Sequence, residues 1–178
     1  MSPFQINDLF YSSQYGFRKC HSTEFAALEL VDRIIHDMDT GSQPISIYLD
    51  MSKAFDTLNH EILISKLKYY GLSDSATNLL ESYLCNRKQF VDFNGTHSSV
   101  CNITTGVPQG SILGPLLFII YINDITYANE LLHLIIYADD TTIYSTLNTL
   151  QTNNININDE LQKISEWLKA NKLSLNVS

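Results

Sequence analysis

Two carboxylates side by side, Asp139 and Asp140, interrupt the β-prone run IIYADDTTIY (135–144), and this feature restricts the folding of the chain most strongly. β-Branched and aromatic residues favour strands, whereas aspartate is depleted in them. Adjacent like charges also repel, by about 1 kcal/mol per close pair in water and by more where water is scarce. The run therefore demands a bend with a strand on either side. At its tip there is either a solvated hairpin turn or a site for something positive, and no lysine or arginine follows nearby.

A third acid is placed by similar logic. PISIYLDMS (44–52) alternates with period two, so Ile45, Ile47 and Leu49 point one way and Ser46, Tyr48 and Asp50 the other. Asp50 thus stands at a strand end, on the face opposite the aliphatic side chains. If the two elements are neighbours in one sheet, three carboxylates converge, and each raises the pKa of the others. Oxygen-only sites suit Mg²⁺, which is commonly held by one or two acids plus substrate phosphates. Two such ions about 4 Å apart clamp the attacking and leaving oxygens of an in-line phosphoryl displacement. A plain turn, with Asp50 capping a strand, is the competing reading, and spacing alone leaves both open.

The remaining pattern predicts one α+β domain. HSTEFAALELVDRIIHDMDTG (21–41) reads as a helix capped by Ser22 or Thr23 and stopped by Gly41. Ala27, Leu28, Val31, Ile34, Ile35 and Met38 form its apolar stripe. Two helices follow, one ending at Gly71 and one carrying Ala76, Leu79, Leu80, Tyr83 and Leu84. A hairpin turning at Asn94–Gly95 comes next, then an apolar helix opened by Pro115 and running to about Ile125. The Asn- and Thr-rich stretch after Ser145 reads as a loop. A last amphipathic helix bears Leu161, Ile164, Trp167 and Leu168, and KLSLNVS begins a final strand.

A formal charge of −8 argues against simple charge-driven nucleic-acid binding, which usually shows a basic face, but not against an acidic centre that recruits cations. Cys20, Cys85 and Cys101 form no C-x-x-C pair and read as reduced thiols of an intracellular protein. The apolar run LLFIIYI (116–122) is too short to span a bilayer, so no membrane partner is expected.

Four blocks in order, QYGFRKCHSTEFAALELVDRI, IYLDMSKAFDTLNHEILISKL, TTGVPQGSILGPLLFIIYINDI and YADDTTIY, resemble reverse transcriptases, especially the jockey-like non-LTR retrotransposon branch. WLKANKLSLNVS is similar to that branch's motif after the catalytic hairpin. The resemblance implies a polymerase palm, an antiparallel sheet with helices packed on one face, plus part of the fingers. On this reading residues 1–178 are one fingers/palm domain truncated at both ends. Partial fingers and a connecting helix take about 1–43, the palm about 44–178, and the thumb is absent. The expected activity is RNA-directed DNA synthesis, weak or lacking in this chain by itself. A catalytically inactive remnant or domesticated domain binding RNA or protein is the alternative. An RNA-copying polymerase is a further one, disfavoured by Phe55.

The same resemblance assigns residues. Asp50 and Asp139 match the metal-binding aspartates, with Asp140 supporting them, and two Mg²⁺ ions (or Mn²⁺) are the implied cofactors. Met51 and Ser52 would offer backbone groups near the triphosphate, and Arg18 matches an arginine that meets it. Phe55 matches the steric gate under the sugar of the incoming nucleotide, where an aromatic ring fills the space of a 2′-OH. Gln109 and Gly110 match residues beside the template–nucleotide pair, and Tyr137 and Ala138 lie near the primer terminus. RNA template, DNA primer and dNTPs are the implied partners, with nucleus and cytoplasm as the expected locations. Asp56, Asn59 and His60 read more simply as capping, ion-pairing or packing residues.

Overall fold

The computed structural model describes residues 9–129 and 131–176. Residues 1–8 and 177–178 lie outside the described residues, and of the final strand expected over KLSLNVS the described part forms a single bridge, at Leu175, rather than a strand. Helix α1, Thr23–Asp39, is capped by the Ser22 hydroxyl, which accepts from the Phe25 N–H. Strand β1, Pro44–Leu49, leads into a single turn of helix, α2, Ala54–Thr57. Helices α3 (His60–Tyr69) and α4 (Asp74–Leu84) are capped by the side chains of Asn59 and Ser73. Such caps are each worth about 1 kcal/mol. Two small antiparallel ladders follow, β2 (Lys88–Gln89) with β5 (Cys101–Asn102) and β3 (Asp92–Phe93) with β4 (Thr96–His97), the inner one turning at Asn94–Gly95.

Helix α5 spans Leu113–Ile122, so Pro115 is its third residue rather than its first. The Ser111 hydroxyl accepts from the Gly114 N–H and helps to satisfy the helix start. A 3₁₀ helix, Asn123–Ala128, continues the chain. Strands β6 (His133–Tyr137) and β7 (Asp140–Thr146) flank the acidic bend. The stretch read as a loop contains a short helix, α6, Leu147–Thr152, because the Thr146 hydroxyl caps it by accepting from the Thr149 N–H. Helix α7, Ile157–Ala170, is the last amphipathic helix.

The main sheet has the order β1-β7-β6, with both pairings antiparallel. Directly paired residues share a face, so the register sorts the sheet. Ile47, Ile143 and Leu134 are aligned across the three strands and join the core, together with Ile136. Helix α5 is apolar all round and supplies Leu117, Phe118, Tyr121 and Ile122 to that core. It meets Leu63 and Leu67 of α3 and Ile164 and Leu168 of α7 there. A helix with no polar face is stable only when buried. Lys66 of α3 lies between the rings of Tyr121 and Trp167, 4.7 and 4.8 Å from their centroids, and pairs with Asp124 at 2.6 Å.

The opposite face carries Ser46, Tyr144 and His133 in one row, and α1 is held there by polar contacts. Glu29 accepts from Tyr15 Oη at 2.6 Å and Ser13 Oγ at 3.1 Å, and pairs with His133 Nε2 at 2.7 Å. Asp37 accepts from the Tyr144 hydroxyl. Burial first, and then the bond to Glu29, pushes the Tyr15 phenol up to about 12. Most of the apolar stripe expected to bury α1 faces outward instead, with Leu28 61% and Met38 62% exposed and Val31 and Ile35 exposed as well, while Ile34 is half-buried. The Glu29 and Asp37 hydrogen bonds turn the helix, since charged groups placed against the sheet need partners and these strands provide them. Leu79 of α4 likewise points outward while Thr77 is buried.

Candidate active site

The register of β1 and β7 assembles the acids. Leu49 pairs with Thr141, so Asp50 lies one step beyond, facing Asp140. Tyr137 pairs with Asp140 across the bend, leaving Ala138 and Asp139 as its two central residues. Asp50 and Asp140 are exposed and Asp139 half-buried. Burial first, and then the charges of Asp139 and Asp50, holds the Asp140 carboxyl above the usual aspartate range. Among the described residues no lysine or arginine pairs with any of the three. Nor do three acid, histidine or cysteine side chains there form a group that could hold a metal ion. Oxygen donors with unbalanced charge and no closed protein cage fit a divalent ion shared with substrate phosphates.

Asp50 has a partner that the sequence did not suggest. Asn176 Nδ2 donates to Asp50 Oδ2 at 3.0 Å, and the Asn176 N–H donates to the Asp50 carbonyl at 2.8 Å. Met51 and Leu175 form an antiparallel bridge, and the Ser52 N–H donates to the Ser174 carbonyl at 2.8 Å. The Ser52 N–H is thus engaged within the chain. Met51 is buried.

The GVPQG loop is laced to α2. Gly106 N–H donates to the Leu58 carbonyl at 2.7 Å, Val107 N–H to that of Phe55 at 2.9 Å, and Thr105 Oγ1 to that of Asp56 at 3.1 Å. A Cβ on Gly106 would lie 2.7 Å from the Asp56 carbonyl oxygen, so the close approach needs glycine. His60 Nε2 lies 2.7 Å from the Gly106 carbonyl. Gln109 Nε2 donates to Asp56 Oδ1 at 2.8 Å. Asp56, read as a cap or ion-pair partner, thus lies inside α2 and orients Gln109. Gly110 is exposed. Phe55 is half-buried, stacked on Phe118 at 4.6 Å and edge-on to Phe17 at 6.2 Å.

Arg18 is tied into the N-terminal segment. Its Nη1 donates to the Tyr11 carbonyl at 2.8 Å and to that of Gln14 at 3.0 Å, and its guanidinium lies over the Phe10 ring. Burial lowers its pKa from the ordinary arginine value. Tyr137 is half-buried and Ala138 buried, the latter with a left-handed φ of 57°.

Over residues 1–178 the chain matches the family model described as reverse transcriptase (RNA-dependent DNA polymerase). The chain belongs to the reverse transcriptase family. Relatives of this reverse transcriptase chain include the "RNA-directed DNA polymerase from mobile element jockey" of Drosophila funebris, 31% identical over 92% of the chain and 18% of that protein. The "Probable RNA-directed DNA polymerase from transposon BS" of Drosophila melanogaster is 32% identical over 92% of the chain and 19% of that protein. The chain spans less than a fifth of the length of these curated relatives.

Among solved structures, telomerase from Candida albicans in complex with a TWJ fragment of telomeric RNA superposes with a TM-score of 0.67 at 15% identity. The match covers 97% of this chain and 32% of that one. Telomerase from Candida tropicalis in complex with the same kind of fragment gives 0.64 at 15% identity, over 87% and 28%. At such identity the likeness shows the fold, a reverse transcriptase palm of mixed helix and antiparallel sheet. Among the described residues no helix is long and apolar enough to cross a membrane.

Proposed function

We propose that this chain is the catalytic palm of an RNA-directed DNA polymerase encoded by a retrotransposon. The reaction adds a deoxynucleotide from a dNTP to a primer 3′-hydroxyl, copying an RNA template. One observation carries it: the register that sets Asp50 beside Asp139 and Asp140 at the open end of the sheet. When bound, two divalent ions (Mg²⁺ or Mn²⁺) supply charge neutralisation and alignment for an in-line displacement. Asp50 and Asp139 are the residues that would hold them, with Asp140 in support.

The chain's own side chains orient the rest. Phe55, backed by Phe118, stands where a ring can exclude a 2′-hydroxyl and favour deoxynucleotides. Asp56 keeps the Gln109 amide in place beside the template–nucleotide pair, with Gly110 following in the same loop. Tyr137 and Ala138 border the primer terminus, and Arg18 shapes the segment nearest the triphosphate through its two carbonyl bonds. The relatives' names and the RNA-bound telomerase neighbours support an RNA template. A division into partial fingers over about 1–43 and palm over about 44–178 belongs to the same reading, as do locations in nucleus and cytoplasm.

Primer extension on an RNA template, at stoichiometric protein with Mg²⁺ and dNTPs, tests the proposal. Wild type is expected to extend the primer above the level of Asp139→Ala, and equal signal from the two overturns it.

A further inference from the structure

We infer that Gln14 is a positioning residue for the catalytic hairpin, its side-chain carbonyl holding the turn that aims Asp139. The inference rests on the polymerase reading of the acid cluster. Between β6 and β7 the chain reverses over two residues, and the first, Ala138, takes a φ of 57° that side-chain-bearing residues seldom adopt. Ala138 is also buried, so its N–H needs an acceptor. Gln14 Oε1 provides one at 3.3 Å and accepts the Gly16 N–H as well, at 2.8 Å. Both bonds are buried, and Gln14 itself is 1% exposed.

The backbone around Gln14 is fastened to β6. Tyr15 N–H donates to the Ile136 carbonyl at 2.7 Å, and Ile136 N–H donates to that of Ser13 at 2.9 Å. Residues 13–15 therefore run parallel along the outer edge of the sheet, bridged at Gln14 and Ile136. Gly16 then passes so close that a Cβ on it would lie 2.3 Å from the Ala138 nitrogen. Packing alone does not call for glutamine here. Its Nε2 is buried without a partner, which costs stability that an apolar side chain of the same size avoids. The carbonyl oxygen is the half of the amide with work to do, and that work is done on the residue preceding Asp139. A change in the Ala138 dihedrals swings the Asp139 carboxylate directly.

Mn²⁺ titration of the chain, followed by the electron paramagnetic resonance of the free ion, tests this without relying on polymerase activity. Wild type is expected to bind Mn²⁺ in a way that Asp139→Ala abolishes. Gln14→Met keeps the volume, removes the acceptor and is expected to bind about tenfold more weakly, with a Tm close to wild type. Tyr15→Phe loses a bond to Glu29 but leaves the turn's acceptor in place, and is expected to bind like wild type. Equal affinity in wild type and Gln14→Met overturns the positioning role while the polymerase reading stands. Absence of Asp139-dependent binding in wild type overturns the polymerase reading itself. If Gln14→Met does not fold, amide hydrogen exchange on wild type decides. The Ala138 amide is expected to exchange as slowly as that of Ile136, and exchange at the rate of an open turn overturns the inference.

Discussion

Asp140 carries the electrostatic cost of the acid cluster. Its carboxyl titrates above the ordinary 3.8, through burial first and then the charges of Asp139 and Asp50. Between the unfolded value near 3.8 and the raised folded value, the folded protein binds more protons than the unfolded chain. Stability therefore falls as pH rises through that window, and the loss persists at neutral pH. Asp140→Asn is expected to raise the metal-free Tm at pH 7 by about 1–3 °C, and to lessen the further rise that Mg²⁺ produces; thermal melts with and without Mg²⁺ read both effects. The acids themselves were legible in sequence because aspartate is conspicuous in a β-branched run. Their partners were not. Asn176 on Asp50 and Asp56 on Gln109 look like ordinary polar residues until the chain folds, since nothing in their local sequence sets which side chain they meet.

Helix α1 shows where periodicity misleads at the level of an element. Its length and its Ser22 cap follow from local sequence, but its orientation does not. All of the apolar stripe but the half-buried Ile34 points to solvent, while Glu29 and Asp37 face the sheet and bond to Tyr15, Ser13, His133 and Tyr144. Although burial opposes its charge, the Glu29 carboxyl lies below the ordinary value, because the bonds from Tyr15, His133 and Arg33 outweigh that cost. Leu28→Gln, which an inward stripe would make a severe core mutation, is expected to change stability by less than about 0.5 kcal/mol in urea unfolding. Short elements escape in the other direction. Helix α6 forms in an Asn- and Thr-rich stretch that reads as loop, because one hydroxyl cap suffices for so short a helix.

Across the whole molecule, the core and the site share a wall. Phe118 is fully buried in α5, joins the sheet to α3 and α7 through the common core, and also backs Phe55. Phe118→Ala is expected to cost about 3–5 kcal/mol by chemical denaturation. In a variant that remains folded, the loss of backing for Phe55 is expected to relax discrimination against ribonucleotides, measured as the ratio of rNTP to dNTP incorporation. Sequence by itself determined the order of the longer helices and of the main strands, the placement of Asp50 at a strand end and the bend at Asp139–Asp140, because periodicity, caps and turn chemistry act over a few neighbouring residues. The block motifs also carried the family. Only the tertiary structure decided the pairing of Pro44–Leu49 with Thr141–Thr146 that unites the acids, the outward roll of α1, and the clasp of Gln14 on the turn. Those features depend on hydrogen bonds and pairings between residues about a hundred positions apart, where no local pattern chooses the partner.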